Sequence, residues 1–156
     1  MSERPDIKFG TDGWRAIIAE EFTFANVRAC AEAVARNLIA SGRSRDGLVV
    51  GFDTRYGSQR FAYAVADVVN RFGIATQIFD VAAPTPACSL AVVNQSAANG
   101  VMITASHNPA GWNGFKFKPD YGGSASPEQV SALEKHIEFP DYYHVTVPDN
   151  ATGELI

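Results

Sequence analysis

Ser106, His107 and Asn108 place a hydroxyl, an imidazole and an amide side by side, with Thr104 and Ala105 before them and Pro109 after. Two chemistries suit such a serine. Acyl transfer needs an imidazole that reaches the serine oxygen, a carboxylate that orients it, and a sharp turn with glycine on both sides. Those glycines are missing, and His107, next in sequence, is poorly placed by the backbone to act as the base for Ser106. Phosphoryl acceptance asks instead for cations and backbone N–H donors, because a phosphoserine carries nearly two negative charges. Arg15, His107, Lys116 and Lys118 are the candidate cations.

For these residues to meet, the serine must stand where a strand stops. Gly100-Val101-Met102-Ile103-Thr104 reads as a buried strand, and Pro109 prevents the following loop from running on as a helix. Upstream, Leu48-Val49-Val50-Gly51-Phe52 is a second buried strand and Ile74 to Phe79 a third. Between them lie helical patterns. Phe24, Val27, Ala31, Val34 and Leu38 recur at three and four positions behind Thr23 as N-cap, with Arg28, Glu32 and Arg36 on the other side. Phe61 to Phe72 forms a second helix closed by Gly73, and Pro84 and Pro86 open a shorter one through Leu90 and Val93.

After the serine loop, Gly114-Phe115-Lys116-Phe117-Lys118 alternates apolar and basic residues, which suggests an edge or antiparallel strand and leaves Lys118 as a solvated charge outside the catalytic set. Ser126-Pro127-Glu128-Gln129 is a helix start, and Val130, Leu133 and Ile137 are that helix's buried stripe. The whole predicts an α/β fold, a three-layer α/β/α sandwich on a mixed, mostly parallel four-stranded sheet. Residues 1–139 form the domain that carries the serine loop, and 140–156 read as a strand or linker leading elsewhere. In such sheets ligands bind beyond the carboxyl ends of the strands, which are the loops after Phe52, Phe79 and Thr104.

Composition narrows the partners. The chain has 156 residues, 46% hydrophobic and 19% charged, which suits one domain with a proper core. A net charge of -4 with no Lys/Arg run speaks against nucleic acid. No apolar run approaches a membrane span and the first twenty residues lack a secretory pattern, so a cytoplasmic protein is expected. Cys30 and Cys88 have no metal-ligand partner at short spacing and read as buried thiols. Asp53 at a strand end invites comparison with phospho-acceptor receiver domains. The acidic pair and late lysine of such a domain are missing, so Asp53 and Arg55 are read as holding loops together.

Four segments, Phe9-Gly-Thr-Asp-Gly-Trp-Arg15, Gly51-Phe-Asp-Thr-Arg55, Thr104-Ala-Ser-His-Asn-Pro109 and Asn113-Gly-Phe-Lys116, together resemble the α-D-phosphohexomutases, and they stand in that family's order. The resemblance covers nearly the whole chain and implies the family's first domain. It implies that Ser106 is the serine phosphorylated in the resting enzyme, with its phosphate oxygen completing the coordination of a Mg²⁺ ion. Lys116 would assist proton transfer at the sugar hydroxyl. Arg15 would lie beside the phosphoserine, with His107 and Asn108 as phosphate-contacting loop neighbours, although His107 could equally brace the loop. Hexose phosphates are then the substrates and hexose 1,6-bisphosphate the activator. The remaining metal ligands, sugar selection and the grip on the distal phosphate belong to further domains of the same enzyme, without which this domain would be close to inactive. The resemblance leaves glucose, mannose and glucosamine phosphates open. The alternative from another class is a non-catalytic sugar-phosphate binding or regulatory module.

Overall fold

The computed structural model describes residues 6–10, 12–139, 146 and 148–156. In chain order the elements are β1 (Trp14–Ile17), α1 (Phe24–Ala40), a 3-10 turn (Ser44–Asp46), β2 (Leu48–Phe52), α2 (Ser58–Arg71), β3 (Thr76–Ile78), α3 (Thr85–Asn94), β4 (Asn99–Ile103), β5 (Trp112–Pro119), α4 (Pro127–Glu134) and β6 (Glu154–Leu155). One sheet has the order β1-β5-β4-β2-β3-β6. β5 runs antiparallel to both neighbours and the other pairings are parallel, so the sheet is mixed and mostly parallel, as predicted.

The alternation of side chains along each strand sorts the core into two layers. Leu48, Val50 and Phe52, with Val101, Ile103, Phe115 and Phe117, pack beneath α1, α2 and α4. Val49 and Met102 turn to the opposite face and meet Cys88 and Val92 of α3. Gly100 makes that second contact possible, because a Cβ there would stand 2.4 Å from Val92 Cγ2. Caps fall where the sequence places them. The Thr23 side chain accepts from the Asn26 N–H, Ser126 and Gln129 close a full capping box, and Gly73 follows α2 at φ 75°.

Three expectations change. The sheet has six strands among the described residues, not four, because Trp14–Ile17 and Glu154–Leu155 each add one. Residues 140–145 and 147 of the last segment lie outside the described residues. β5 pairs with β1 over Trp112–Phe115, and Lys118, beyond that pairing, is buried at 5% exposure with Gly100 and Asp12 against it rather than solvated. Part of the polar side of α1 is also enclosed, although Arg36 keeps 40% of its side chain exposed. The helix lies against both α2 and α4, so Arg28 and Glu32 are buried beside Val27 and Ala31.

Candidate functional site

Ser106 follows the carboxyl end of β4, exposed, between the buried Ala105 and the exposed His107. Its backbone has φ 58°, in the left-handed region that a non-glycine residue adopts only when its surroundings impose it. The impositions are visible. The Ser106 N–H donates to Thr104 Oγ1 at 3.0 Å, and the Asn108 N–H donates to the Ala105 carbonyl at 3.1 Å, which closes a tight turn around the serine.

Arg55 fastens the outside of that turn. Its Nη2 donates to the carbonyls of Ser106 at 2.8 Å and Asn108 at 2.7 Å, and its Nη1 to those of Pro109 at 2.8 Å and Trp112 at 3.1 Å. A planar guanidinium with five donors suits such a multiple grip, and an ammonium would not replace it. Asp53 aims the fork. Its carboxylate takes the Arg55 backbone N–H and pairs with the guanidinium Nε, and it also accepts from Ser58 Oγ at 2.7 Å. Ser58 in turn accepts from Asn113 Nδ2 at 2.9 Å, and Asn113 Oδ1 receives the Gly114 N–H. Asp53 and Arg55 therefore do hold the loops together, and Asn113 of the Asn-Gly-Phe-Lys segment is their buried end point.

On the other side of the loop stands Arg15. Its Nη1 donates to Asn108 Oδ1 at 3.2 Å, so the structure brings these two predicted residues into contact. Lys116 is placed differently. It is 5% exposed, and its Nζ donates to Asp12 Oδ2 at 2.6 Å. Lys118 donates to the second oxygen of the same carboxylate at 3.3 Å, and the Arg15 guanidinium lies 3.9 Å from Oδ2. Lys116 thus joins Arg15 and the serine loop through Asp12, a residue that the sequence reading left without a role. Burial by itself would raise the Asp12 carboxyl, but the hydrogen bond and charge of Lys116, with those of Lys118, outweigh it and hold the group below its usual value.

Gly13 lets Asp12 reach this position. It has φ 105°, and a Cβ on it would lie 2.4 Å from the Phe115 carbonyl oxygen, so a side chain would push the turn off β5. A polar, cation-rich patch beside an exposed hydroxyl is suited to holding a phosphoryl group. For a metal the fit is incomplete. Among the described residues no group of three or more His, Cys, Asp or Glu side chains could hold an ion, and no helix is long and apolar enough to cross a membrane.

The chain as a whole is similar to known proteins. The family described as phosphoglucomutase/phosphomannomutase, alpha/beta/alpha domain I, matches residues 6–144. A Schizosaccharomyces pombe protein provisionally named a phosphoribomutase is 40% identical over 139 residues, 86% of this chain and 24% of its own. One from Methanothermobacter thermautotrophicus, provisionally named a phosphoglucosamine mutase, is 36% identical over 143 residues, 91% of this chain and 30% of its own. The crystal structure of a Thermus thermophilus protein, provisionally named a phosphomannomutase, superposes with a TM-score of 0.83 at 37% identity, covering 96% of this chain and 33% of that one. The chain therefore spans no more than about a third of the length of these relatives.

Proposed function

The chain belongs to the phosphoglucomutase/phosphomannomutase family, whose members are mutases, and from that premise we propose that it is the phosphoserine domain of a phosphohexomutase. Ser106 would donate its phosphoryl group to one hydroxyl of a hexose phosphate and recover a phosphoryl group from the other end of the resulting bisphosphate. In the first half-reaction the Ser106 Oγ–P bond breaks and a bond from the sugar hydroxyl oxygen to phosphorus forms. The hydroxyl loses a proton and the departing Ser106 Oγ gains one, and Lys116, held as an ammonium by Asp12 at 2.6 Å in the resting domain, is the candidate that would give its proton to Ser106 Oγ and take the hydroxyl's in return. The second half-reaction reverses these steps at the other hydroxyl, so the exchange is between C1 and C6. Phosphoryl transfer asks the protein mainly for positioning and electrostatic stabilisation, which Arg15, Asn108 and His107 would supply.

The observation that carries this reading is an exposed serine held in a strained conformation, its turn clamped by Arg55 on one side and tied to Arg15 on the other. Mg²⁺ and a hexose 1,6-bisphosphate activator belong to the same proposal. The metal would stabilise negative charge on the phosphoryl group, with Ser106 contributing through its phosphate and the other ligands coming from another domain. We place the enzyme in the cytoplasm, in keeping with the two buried, unbridged cysteines. The isolated domain would have little activity, since sugar recognition belongs elsewhere in the full-length enzyme.

The test is phosphopeptide mapping of the full-length protein after treatment with a hexose bisphosphate and Mg²⁺, alongside mutase assays on glucose, mannose and glucosamine phosphates. Label is expected on Ser106. Label on Ser58 or Thr104, both buried in the fold, would defeat the assignment. Lys116→Met with unchanged turnover would remove Lys116 from the mechanism.

A further inference from the structure

Lys118 has no part in the reaction just described, yet it is as buried as Lys116, at 5% exposure each, and shares an anion with it. The two lysines stand two positions apart on β5, so their side chains leave the same face of the strand. Their partners across the ladder are Met102 for Lys116 and Gly100 for Lys118, which puts Lys116 nearer the end of β4 where Ser106 begins its loop. Asp12 divides its two oxygens between them, with the shorter bond, 2.6 Å against 3.3 Å, going to Lys116.

Charge decides what this arrangement permits. Lys116, Lys118 and Arg15 bring three positive charges to one carboxylate, a local excess of two. If Lys116 is to reach the transferring phosphoryl group, it must leave Asp12. Without Lys118, that carboxylate would keep only Arg15, at 3.9 Å and committed to Asn108. The Asp12 side chain is 35% exposed, so water meets part of the loss, but a carboxylate left that short of pairing still biases Lys116 toward staying where it is. With Lys118 in place the carboxylate stays paired throughout.

Resting on the phosphoryl-transfer reading, we propose that Asp12 and Lys118 are a positioning pair for Lys116: Lys118 holds the Asp12 carboxylate when Lys116 moves to the phosphoryl group, so that Lys116 passes between two anions and strands neither. Lys118 thus acts through Asp12 and touches no substrate. A direct phosphate ligand would act independently of Asp12, and this difference is measurable by a double-mutant cycle.

The 156-residue chain is prepared with serine and with phosphoserine at position 106, and the side-chain ¹H–¹⁵N signals of Lys116, Lys118 and Arg15 are followed by NMR. Phosphorylation is expected to shift the Arg15 and Lys116 signals and to leave the Lys118 ammonium in place. In Lys118→Met the Lys116 response is expected to be lost, and adding Asp12→Asn to that variant is expected to restore it. Lys118→Leu, which likewise leaves Asp12 nothing at that position to pair with, gives the same expectation if the methionine variant does not fold. A full Lys116 response in either Lys118 variant, or none in the double variant, overturns the positioning pair. If phosphoserine 106 moves neither Arg15 nor Lys116 in the otherwise unaltered chain, the phosphoryl-transfer reading itself fails and the pair falls with it.

Discussion

Ser106 occupies the left-handed region at φ 58° with a side chain attached, a conformation that costs an L-residue about 1–2 kcal/mol. Glycine has no Cβ to clash there, so Ser106→Gly removes the steric cost. It also gives the unfolded chain more freedom, which offsets roughly 0.5–1 kcal/mol of that gain. The net expectation is a stabilisation of about 0.5–1 kcal/mol. Ser106→Ala serves as the control, because it deletes the exposed hydroxyl but keeps the Cβ and hence the strain. The two variants should therefore differ by about 1 kcal/mol, or about 2–4 °C in Tm for a chain of this size. Urea and thermal unfolding of all three proteins, followed by far-UV circular dichroism, measures the difference, with equal m-values showing that the unfolded states are comparable. Both variants lack the oxygen that would carry phosphate, so the glycine protein should be the most stable and incapable of labelling. A glycine variant that melts at or below the alanine variant would refute the claim that this backbone is strained.

The remaining expectations concern the groups around the serine. Arg55→Met should destabilise the domain by about 2–4 kcal/mol, since charge-assisted hydrogen bonds contribute about 1.5–3 kcal/mol each and water replaces those at the exposed rim; Arg55→Lys should recover little of the loss, and thermal melts read both. Asp12 is held below its ordinary carboxyl value of 3.8, so its stabilising effect is present above that pH and fades as the pH falls through the lower folded value. The stability gap between the native chain and Asp12→Asn should accordingly be largest near neutral pH and shrink on acidification, as urea titrations at a series of pH values would show. Burial pushes the Cys30 thiol up, and it pushes Cys88 up to about 12 despite the opposing charge of Lys118. Neither should react with a thiol reagent at pH 8 in the folded protein, and both should react in denaturant.

Periodicity made most of the framework legible. The stripes of α1, α2 and α4 and the apolar runs of β2 and β4 are long enough to show their period, and the caps at Thr23 and Ser126 mark two helix starts. β1 escaped and β6 is legible only as an unplaced strand or linker within 140–156, because four residues and two residues hold too little pattern, and what makes them strands of this sheet is the neighbour they pair with. The same limit explains Lys118 and Arg28. Alternation tells which side chains share a face but not what lies over that face: Asp12 meets Lys118, and α1 is packed against both α2 and α4. Within the site, the serine and its loop were readable from residue types. Asp12 was not, since its partners Lys116 and Lys118 are more than 100 positions away and only the reversal of β5 between β1 and β4 brings them near.

That reversal also accounts for how a strained loop can be kept rigid. Strain at Ser106 persists only if its neighbours are fixed from several directions, and here three strands do the fixing. Arg55 comes from the end of β2, the Thr104 hydroxyl from the end of β4, and Arg15 from β1, which can face the loop only because antiparallel β5 fills the space between β1 and β4. Asn113, at the start of β5, then locks the Asp53–Ser58 corner from beneath. A loop braced in this way holds its hydroxyl in one place, which is what the proposed exchange of a phosphoryl group with first one end of a substrate and then the other would require.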